Sequence, residues 1–398
     1  MTEAYVYGTA RTPFGRFGGG LSGVRPDDLA AHTIDALVRA APGLDPGVVD
    51  EVVLGNANGA GEDNRNVARM AVLLAGWPVS VPATTVNRLC GSGLDAVMSA
   101  SRMIETEDAD VVVAGGVESM TRAPWVVPKP GRAFPAQDGQ LVSTTLGWRL
   151  VNPRMPAEWT VSLGEANEQL QEKFGISRER QDAFALRSHH LAEAAWAEGF
   201  YDDLVTPVPG TELTRDEGVR ADVSLERLAG LAPVFRPDGT ITAGNASPLN
   251  DGASAVLVGS AAASARLGRE PLARIAGRAA FANEPPAFGY APVEAAERAL
   301  RRAGITWSDV GAVELNEAFA VQSLACVDAW DVDPGIVNVK GGAIAIGHPL
   351  GASGGRIVGT LAKVLREGRH RWGVAAICIG VGQGLAVVLE NVTAEVRS

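Results

Sequence analysis

Only three cysteines, Cys90, Cys326 and Cys378, occur in 398 residues. An odd number at wide spacing makes neither a disulfide framework nor a zinc cluster, and it fits a reducing cytoplasm. No metal ligand set is expected. Long hydrophobic runs are missing too: no stretch reaches the roughly 18 consecutive apolar residues that would span a bilayer. Met1-Thr2-Glu3-Ala4 lacks the basic region and apolar run of a secretory signal, so the expected location is cytoplasmic. Basic blocks are absent and the net charge is −11, which argues against nucleic acid or an anionic membrane surface as partner. An anionic ligand would need a local pocket of Arg, Lys and backbone N–H groups.

What is present is ordinary for a globular protein: 46% apolar and 20% charged residues. At about 150 residues per domain, the length predicts two or three domains. The 47 glycines exceed the average share of about 7% and cluster as in Gly18-Gly19-Gly20 and Gly341-Gly342, which reads as tight turns. Short β-rich runs alternate with Ala-rich stretches, an α/β pattern. Strands are predicted at Val52–Leu54, Val111–Val113, Val256–Val258, Val374–Ile379 and Leu385–Leu389, and helices over 90–105 and 352–366.

An internal duplication is visible. Ala36 to Asn56 reads as helix, turn (Gly43-Leu44-Asp45) and strand, and Ala299 to Asn316 repeats that order. Each unit is followed by a Val-Asn pair, Val86-Asn87 or Val337-Asn338. Small residues then open a helix in each half, Cys90-Gly91-Ser92-Gly93 and Gly351-Ala352-Ser353-Gly354. Residues 119–249, richer in Pro, Trp and charge, interrupt the first half. They read as an inserted loop domain that covers a site, with an amphipathic helix around 177–198.

Four segments carry candidate chemistry. Cys90 follows a predicted strand and is expected to open a helix, where the N-terminal N–H groups and dipole lower a thiol pKa. Its flanking glycines would let a carbonyl approach backbone donors. A buried structural cysteine is the competing reading. Cys378 enters the glycine-rich turn Gly380-Val381-Gly382-Gln383-Gly384. A dinucleotide fingerprint is excluded there, because only 14 residues follow Gly384 and no βαβ unit fits. His348, between glycines and just ahead of a helix, is placed for a rigidly held general base. His189 and His190 read instead as surface or packing residues. Asn316 and Glu317 form a polar pair in an apolar run, either functional or a helix cap.

In this order and spacing the four segments resemble the thiolase family, and the resemblance covers nearly the whole chain. Arg11-Thr12-Pro13-Phe14-Gly15, Ala114 to Met120 and Thr242 to Ser247 extend it. The resemblance implies a five-layer αβαβα fold of two duplicated halves, with two mixed sheets and an inserted loop domain. The boundaries would be 1–118 with 250–268, 119–249, and 269–398. Cys90 would be the acylated nucleophile, His348 its base and Cys378 the second acid/base. Asn316 would hold a water that, with His348, forms one oxyanion hole; the backbone N–H groups of Cys90 and Gly380 would form the other. Coenzyme A would be a substrate, with no metal and no tightly held cofactor. Arg220 would lie near its adenine end and Ser247 along the pantetheine. Phe235, Ala243, Leu249, Ala318 and Phe319 would line the tunnel. The partners implied are acyl-CoA and CoA, and the assembly a homodimer or homotetramer.

Departures from the family pattern bear on the acyl pocket. Ser162-Leu163-Gly164 stands where a His-Met-Gly stretch is common, which puts Leu163 near the reacting acyl group, and Arg227 stands at what is often a serine near CoA. Gly61 to Arg69 and Thr144 to Pro153 are similar to thiolases that cleave β-ketoadipyl-CoA in aromatic-acid breakdown. A decarboxylating ketoacyl synthase shares the fold but usually sets two histidines around its cysteine. A non-catalytic acyl-CoA or lipid-binding relative tends to lose the cysteine or histidine, and both are kept here.

Overall fold

The computed structural model describes residues 2–41 and 44–392; Gly43, in the first expected turn, lies outside them. The first half contains β1 (Tyr5–Arg11), β2 (Gly15–Arg16), α1 (Pro26–Arg39), β3 (Glu51–Gly55), α2 (Val67–Leu74), β4 (Ala83–Val86), α3 (Ser92–Glu105) and β5 (Val111–Ser119). A long excursion follows with β6 (Trp125–Val126), β7 (Val142–Ser143), α4 (Leu163–Phe174), α5 (Arg178–Ala197) and α6 (Leu225–Ala229). The chain returns through β8 (Asn250–Gly259) and α7 (Ala263–Leu267). It then builds β9 (Ala273–Ala282), α8 (Ala291–Ala303), β10 (Val310–Leu315), α9 (Ala320–Trp330), α10 (Ala343–Ile346), α11 (Leu350–Gly368), β11 (Trp372–Ile379) and β12 (Gln383–Asn391).

Strand order in the first half is β1-β8-β5-β3-β4, and in the second β9-β12-β11-β10. In each, two antiparallel pairings precede the parallel ones. The second half's counterpart of β4 is a single parallel bridge from Val313 to Val337, so the Val-Asn pair of the duplication lies beside the matching strand in both halves, two residues earlier along it in the second. A two-residue ladder, Tyr5 with Arg274 and Val6 with Ala273, carries hydrogen bonding across from one half to the other.

Both faces of the inner strands are covered, which is why they read as apolar runs rather than alternating ones. On β5, Val111 and Val113 face a core with α1 and α2, while Val112 and Ala114 face α3 and α11. On β12, Leu385 and Val387 face that same central core, and Ala386 and Val388 face α8. Three cores run through the five layers, the middle one enclosing α3 and α11, which pack together between the two halves' strands. Their axes approach so closely that a Cβ at Gly354 would collide with the backbone of Leu94 and Gly93, and one at Gly93 with the Gly351 carbonyl.

The expected helix near 177–198 is α5, but its buried stripe is not apolar. Gln181, Asp182, Ser188 and His189 are buried beside Ala185, Ala192 and Ala195. The helix docks through hydrogen bonds, among them Ser188 Oγ to Glu317 at 2.6 Å and Asn245 Nδ2 to Asp182 at 3.0 Å. Polar periodicity therefore carried the burial signal that hydrophobic periodicity usually carries.

Candidate active site

Cys90 stands in a tight turn ahead of α3, which begins at Ser92, so the thiol precedes the helix instead of opening it. The turn is built by short polar side chains. Leu89 N donates to Asn87 Oδ1 at 2.9 Å, Arg88 N donates to Ser92 Oγ at 2.8 Å, and Ser92 Oγ donates to Leu89 O at 2.6 Å. Leu89 is left at φ +48°, a left-handed conformation that a leucine adopts only under such constraint. The Cys90 thiol is buried, and contrary to the sequence expectation its pKa is pushed up to about 11. Burial dominates that shift, and the Glu118 carboxylate adds to it. The N–H groups of Gly380 and of Cys90 itself pull the other way without prevailing.

His348 lies ahead of α11 just as Cys90 lies ahead of α3. Gly347 is at φ +117°, and a Cβ there would meet the Asn250 side chain. Asn250 Oδ1 accepts the His348 N–H at 2.9 Å and Asn250 Nδ2 donates to Gly15 O at 2.9 Å, pinning the loop. On the ring, Nδ1 lies 2.6 Å from Ser353 Oγ, whose hydroxyl donates to Pro349 O at 3.0 Å. That network assigns the proton to Nδ1 and leaves Nε2 as a lone-pair base. Burial, helped by the Arg356 charge, pushes the imidazole pKa down to about 3, so the ring is neutral at physiological pH.

Asn316 follows the end of β10 and is no helix cap, since α9 begins four residues later at Ala320. Its Oδ1 accepts from Arg356 at 2.9 Å, which turns Nδ2 toward the His348 ring at 3.4 Å. Arg356 is fully buried and faces Glu314 at 3.6 Å; burial pushes Glu314 up to about 8. Neither Arg356 nor Glu314 was singled out from sequence. Both sit one helical or strand step from residues that were, and only the packing reveals the link.

Cys378, on β11, is buried with its pKa raised well above the usual thiol value by burial first and then by Cys90 and Cys326. Cys326 lies in the outer core of the second half, donating to Gly289 O, and lines neither cavity. Glu118 closes the floor of the site. Its carboxylate accepts N–H from Ala57 (2.9 Å), Asn58 (3.2 Å) and Gly351 (2.9 Å), the last at the start of α11, and burial raises it to about 7.

Cys90, Cys378 and His348 meet at a cavity of about 410 Å³ lined mainly by apolar groups, including Leu163, Phe235, Leu249, Ala318 and Phe319, with the polar Ser247 beside them. Phe235 and Phe319 stand edge to face at 6.4 Å, and Ser247 Oγ donates to Ala318 O at 3.1 Å. A second cavity of about 360 Å³ shares Cys90 and Leu163 and includes Gly380. Arg220 is exposed and lies apart, in a depression of about 930 Å³ with Asp222, Ser224 and Arg227. Arg227 is tied to Asp222 there. Arg220 donates its backbone N–H to Nδ1 of the buried His189 at 3.2 Å. Ala243 is exposed and lines none of these three spaces. Among the described residues no helix is long and apolar enough to cross a membrane.

Comparison with known proteins bears on the family and the fold. Residues 4–262 match the model of the thiolase N-terminal domain and residues 269–391 that of the thiolase C-terminal domain. A β-ketoadipyl-CoA thiolase from Escherichia coli is 48% identical over 98% of this chain and 100% of its own length. An acetyl-CoA acetyltransferase from Cupriavidus necator is 42% identical over the same shares. The crystal structure of human mitochondrial 3-ketoacyl-CoA thiolase in complex with CoA superposes with a TM-score of 0.92 at 38% identity, covering 98% of both chains. The chain belongs to the thiolase family and is a CoA-dependent acyltransferase.

Proposed function

We propose that this thiolase cleaves a dicarboxylic 3-ketoacyl-CoA of the β-ketoadipyl type, with Cys90, His348 and Cys378 sharing the proton and acyl transfers. The supporting observation is their convergence on one cavity from three separate elements, with a neutral imidazole beside a buried thiol. Cys90 Sγ attacks the C3 ketone while His348 Nε2 takes the thiol proton, so no free thiolate is needed beforehand. The tetrahedral oxyanion is held by the N–H groups of Cys90 and Gly380, both of which already favour negative charge on the sulfur. Collapse breaks the C2–C3 bond, leaving an acyl group on Cys90 and the enolate of acetyl-CoA. The newly protonated Nε2–H and a water on Asn316 stabilise that enolate, and Cys378 protonates its carbon. A free CoA thiol then gives its proton back to Cys378 and attacks the acyl-cysteine. Cys90 leaves with the proton from His348, and acyl-CoA departs.

The apolar cavity fits the pantetheine arm, with Ser247, Leu249, Phe235, Ala318 and Phe319 along it, and Arg220 near the far end of CoA; Ala243 would lie farther out. Three segments, 1–118 with 250–268, 119–249 and 269–398, are the division we assign to the two halves and the loop domain. Assembly as a homodimer or homotetramer is part of this reading. The edge strand β4 is open, and Trp125 (65% exposed), Phe134 (91%) and Leu141 (57%) present apolar faces. Three free cysteines suit a cytoplasmic location.

Thiolysis of β-ketoadipyl-CoA, 3-ketohexanoyl-CoA and acetoacetyl-CoA by free CoA tests the reading. A preference for the dicarboxylic substrate, lost with all other cleavage in Cys90→Ala, is the expected result. Equal or better use of the monocarboxylic chains would overturn the assignment of substrate class while leaving the thiolase chemistry in place.

A further inference from the structure

We propose that Arg149 receives the distal carboxylate of the acyl chain and so selects dicarboxylic substrates; the idea rests on the substrate reading above and deepens it. The two cavities that meet at Cys90 differ in charge. Apart from Cys90, Cys378 and His348, the lining of the first holds no ionisable group, and no arginine or lysine. The second, which adjoins the first at Cys90, Leu146, Gly147, Trp148, Leu163 and Leu350, contains Arg149 together with Asn58, Asn87, Thr144 and Thr145. Once C2–C3 cleavage has released acetyl-CoA, the group left on Cys90 from a β-ketoadipyl chain is succinyl, whose free carboxylate must sit somewhere beyond the sulfur. The second cavity is the space there, and Arg149 is its cation.

Arg149 is poorly satisfied as it stands. Among the described residues its guanidinium makes two long contacts, to Thr144 O and to Asn58 Oδ1, each at 3.4 Å. Among the described residues no carboxylate pairs with it. Glu118 lines the same cavity, but its oxygens are engaged by three backbone N–H groups. A guanidinium offers five N–H donors in a fork that matches a carboxylate, so most of its capacity is unspent. The wall that carries it is also fixed in advance. Trp148 Nε1 donates to Val161 O at 3.1 Å, Thr144 Oγ1 to Pro124 O at 2.6 Å, and Asn58 Nδ2 to Thr144 Oγ1 at 3.0 Å. Residues 144–149 line the cavity consecutively, and Leu146, Gly147 and Trp148 also face the first one. The first six residues of the segment Thr144 to Pro153, noted in the sequence for its likeness to β-ketoadipyl-CoA thiolases, thus form a wall of the acyl site.

The test compares kcat/KM for β-ketoadipyl-CoA and 3-ketohexanoyl-CoA, chains of equal length that differ in the terminal carboxylate. In Arg149→Gln the ratio between them should fall about 10- to 100-fold, the scale of a charge-assisted hydrogen-bonded pair. Arg149→Lys should keep part of the ratio. Both substrates are read on one preparation, so a partly unfolded variant does not distort the result. Should Arg149→Gln not fold, inhibition of the wild type by adipyl-CoA and hexanoyl-CoA gives the same comparison, and equal inhibition by the two overturns the proposal. A wild type that favours the dicarboxylic chain while Arg149→Gln keeps the same ratio would overturn the role of Arg149 alone. A wild type with no preference would overturn the substrate reading and this proposal together.

Discussion

In the first half of the molecule the strands run β1-β8-β5-β3-β4; in the second they run β9-β12-β11-β10 and then the Val337 bridge, with the same sequence of antiparallel and parallel pairings. Register carries the likeness to single residues. Gly55 ends β3 opposite Gly116, and Leu315 ends β10 opposite Ala376; two residues on stand Glu118 and Cys378. Asn56 and Asn316 follow their strands in the same way. Cys90 and His348 each lead into a central helix. Yet the chemistry is divided unequally. Glu118 has become a clamp that ties Ala57 and Asn58 of one half to Gly351 of the other, whereas Cys378 keeps a free thiol at the cavity. Asn56 donates to Asp63 and Val117 O within its own half, while Asn316 addresses the base. The duplicated scaffold supplies two helix entries facing each other, and side-chain choice gives one the nucleophile and the other the base.

The comparison breaks most readily at the thiols. Cys90→Ala should remove thiolysis by a factor of about 10⁴ or more, and His348→Ala and Cys378→Ala should each cost about 10²–10⁴ in kcat, measured with acetoacetyl-CoA. If Cys378→Ala kept full activity, the two register-matched positions would both be structural. The asparagines come next. Asn316→Ala should lower kcat by about 10²–10³, because its amide supports the enolate oxygen. Asn56→Ala should instead cost about 1–3 kcal/mol of stability in urea unfolding, with no matching fall in kcat. Gly354→Ala probes the seam between the halves: its Cβ meets backbone rather than a movable side chain, so a stability loss of about 1–3 kcal/mol or more is expected.

The smallest effect concerns pH. Iodoacetamide labelling of Cys90 in the unliganded protein should keep rising with pH toward about 11. Glu118→Gln removes a charge that raises the thiol pKa, so the profile should move to lower pH and labelling at pH 8 should quicken. An unmoved profile would show burial acting alone. Protonation of His348 works on stability in the opposite pH range. Its folded pKa, about 3, lies below the ordinary 6.5, so the folded protein binds fewer protons than the unfolded chain between those values, and this group's contribution makes stability fall as pH drops through that window. His348→Asn should flatten that part of the acid unfolding curve.

Much of this was legible in the sequence for a physical reason. Strands covered on both faces are long apolar runs, so β5, β8, β11 and β12 stood out. The duplication showed because glycine and small-residue turns at Cys90-Gly91-Ser92-Gly93 and Gly351-Ala352-Ser353-Gly354 are required where two helices touch backbone to backbone. Four features were not legible. The thiol pKa went the wrong way, because a helix entry is visible in a sequence and burial depth is not. The Arg356–Asn316–His348 relay joins residues 40 and 32 positions apart, set by the stacking of α11 on β10. The face of α5 escaped because its buried residues bond instead of packing as hydrocarbon. Arg149 was noticed only as part of a similar stretch; its place beside Cys90 depends on the fold of the long excursion.

The most direct test is to mix the wild type with acetoacetyl-CoA in the absence of free CoA, quench in acid, and locate the acyl group by peptide mass spectrometry. An acetyl group on the Cys90 peptide, absent from the Cys326 and Cys378 peptides, is the predicted result. Acetylation of Cys378, or turnover on adding CoA with no acylated cysteine in the quenched protein, would contradict the division of labour between the two halves.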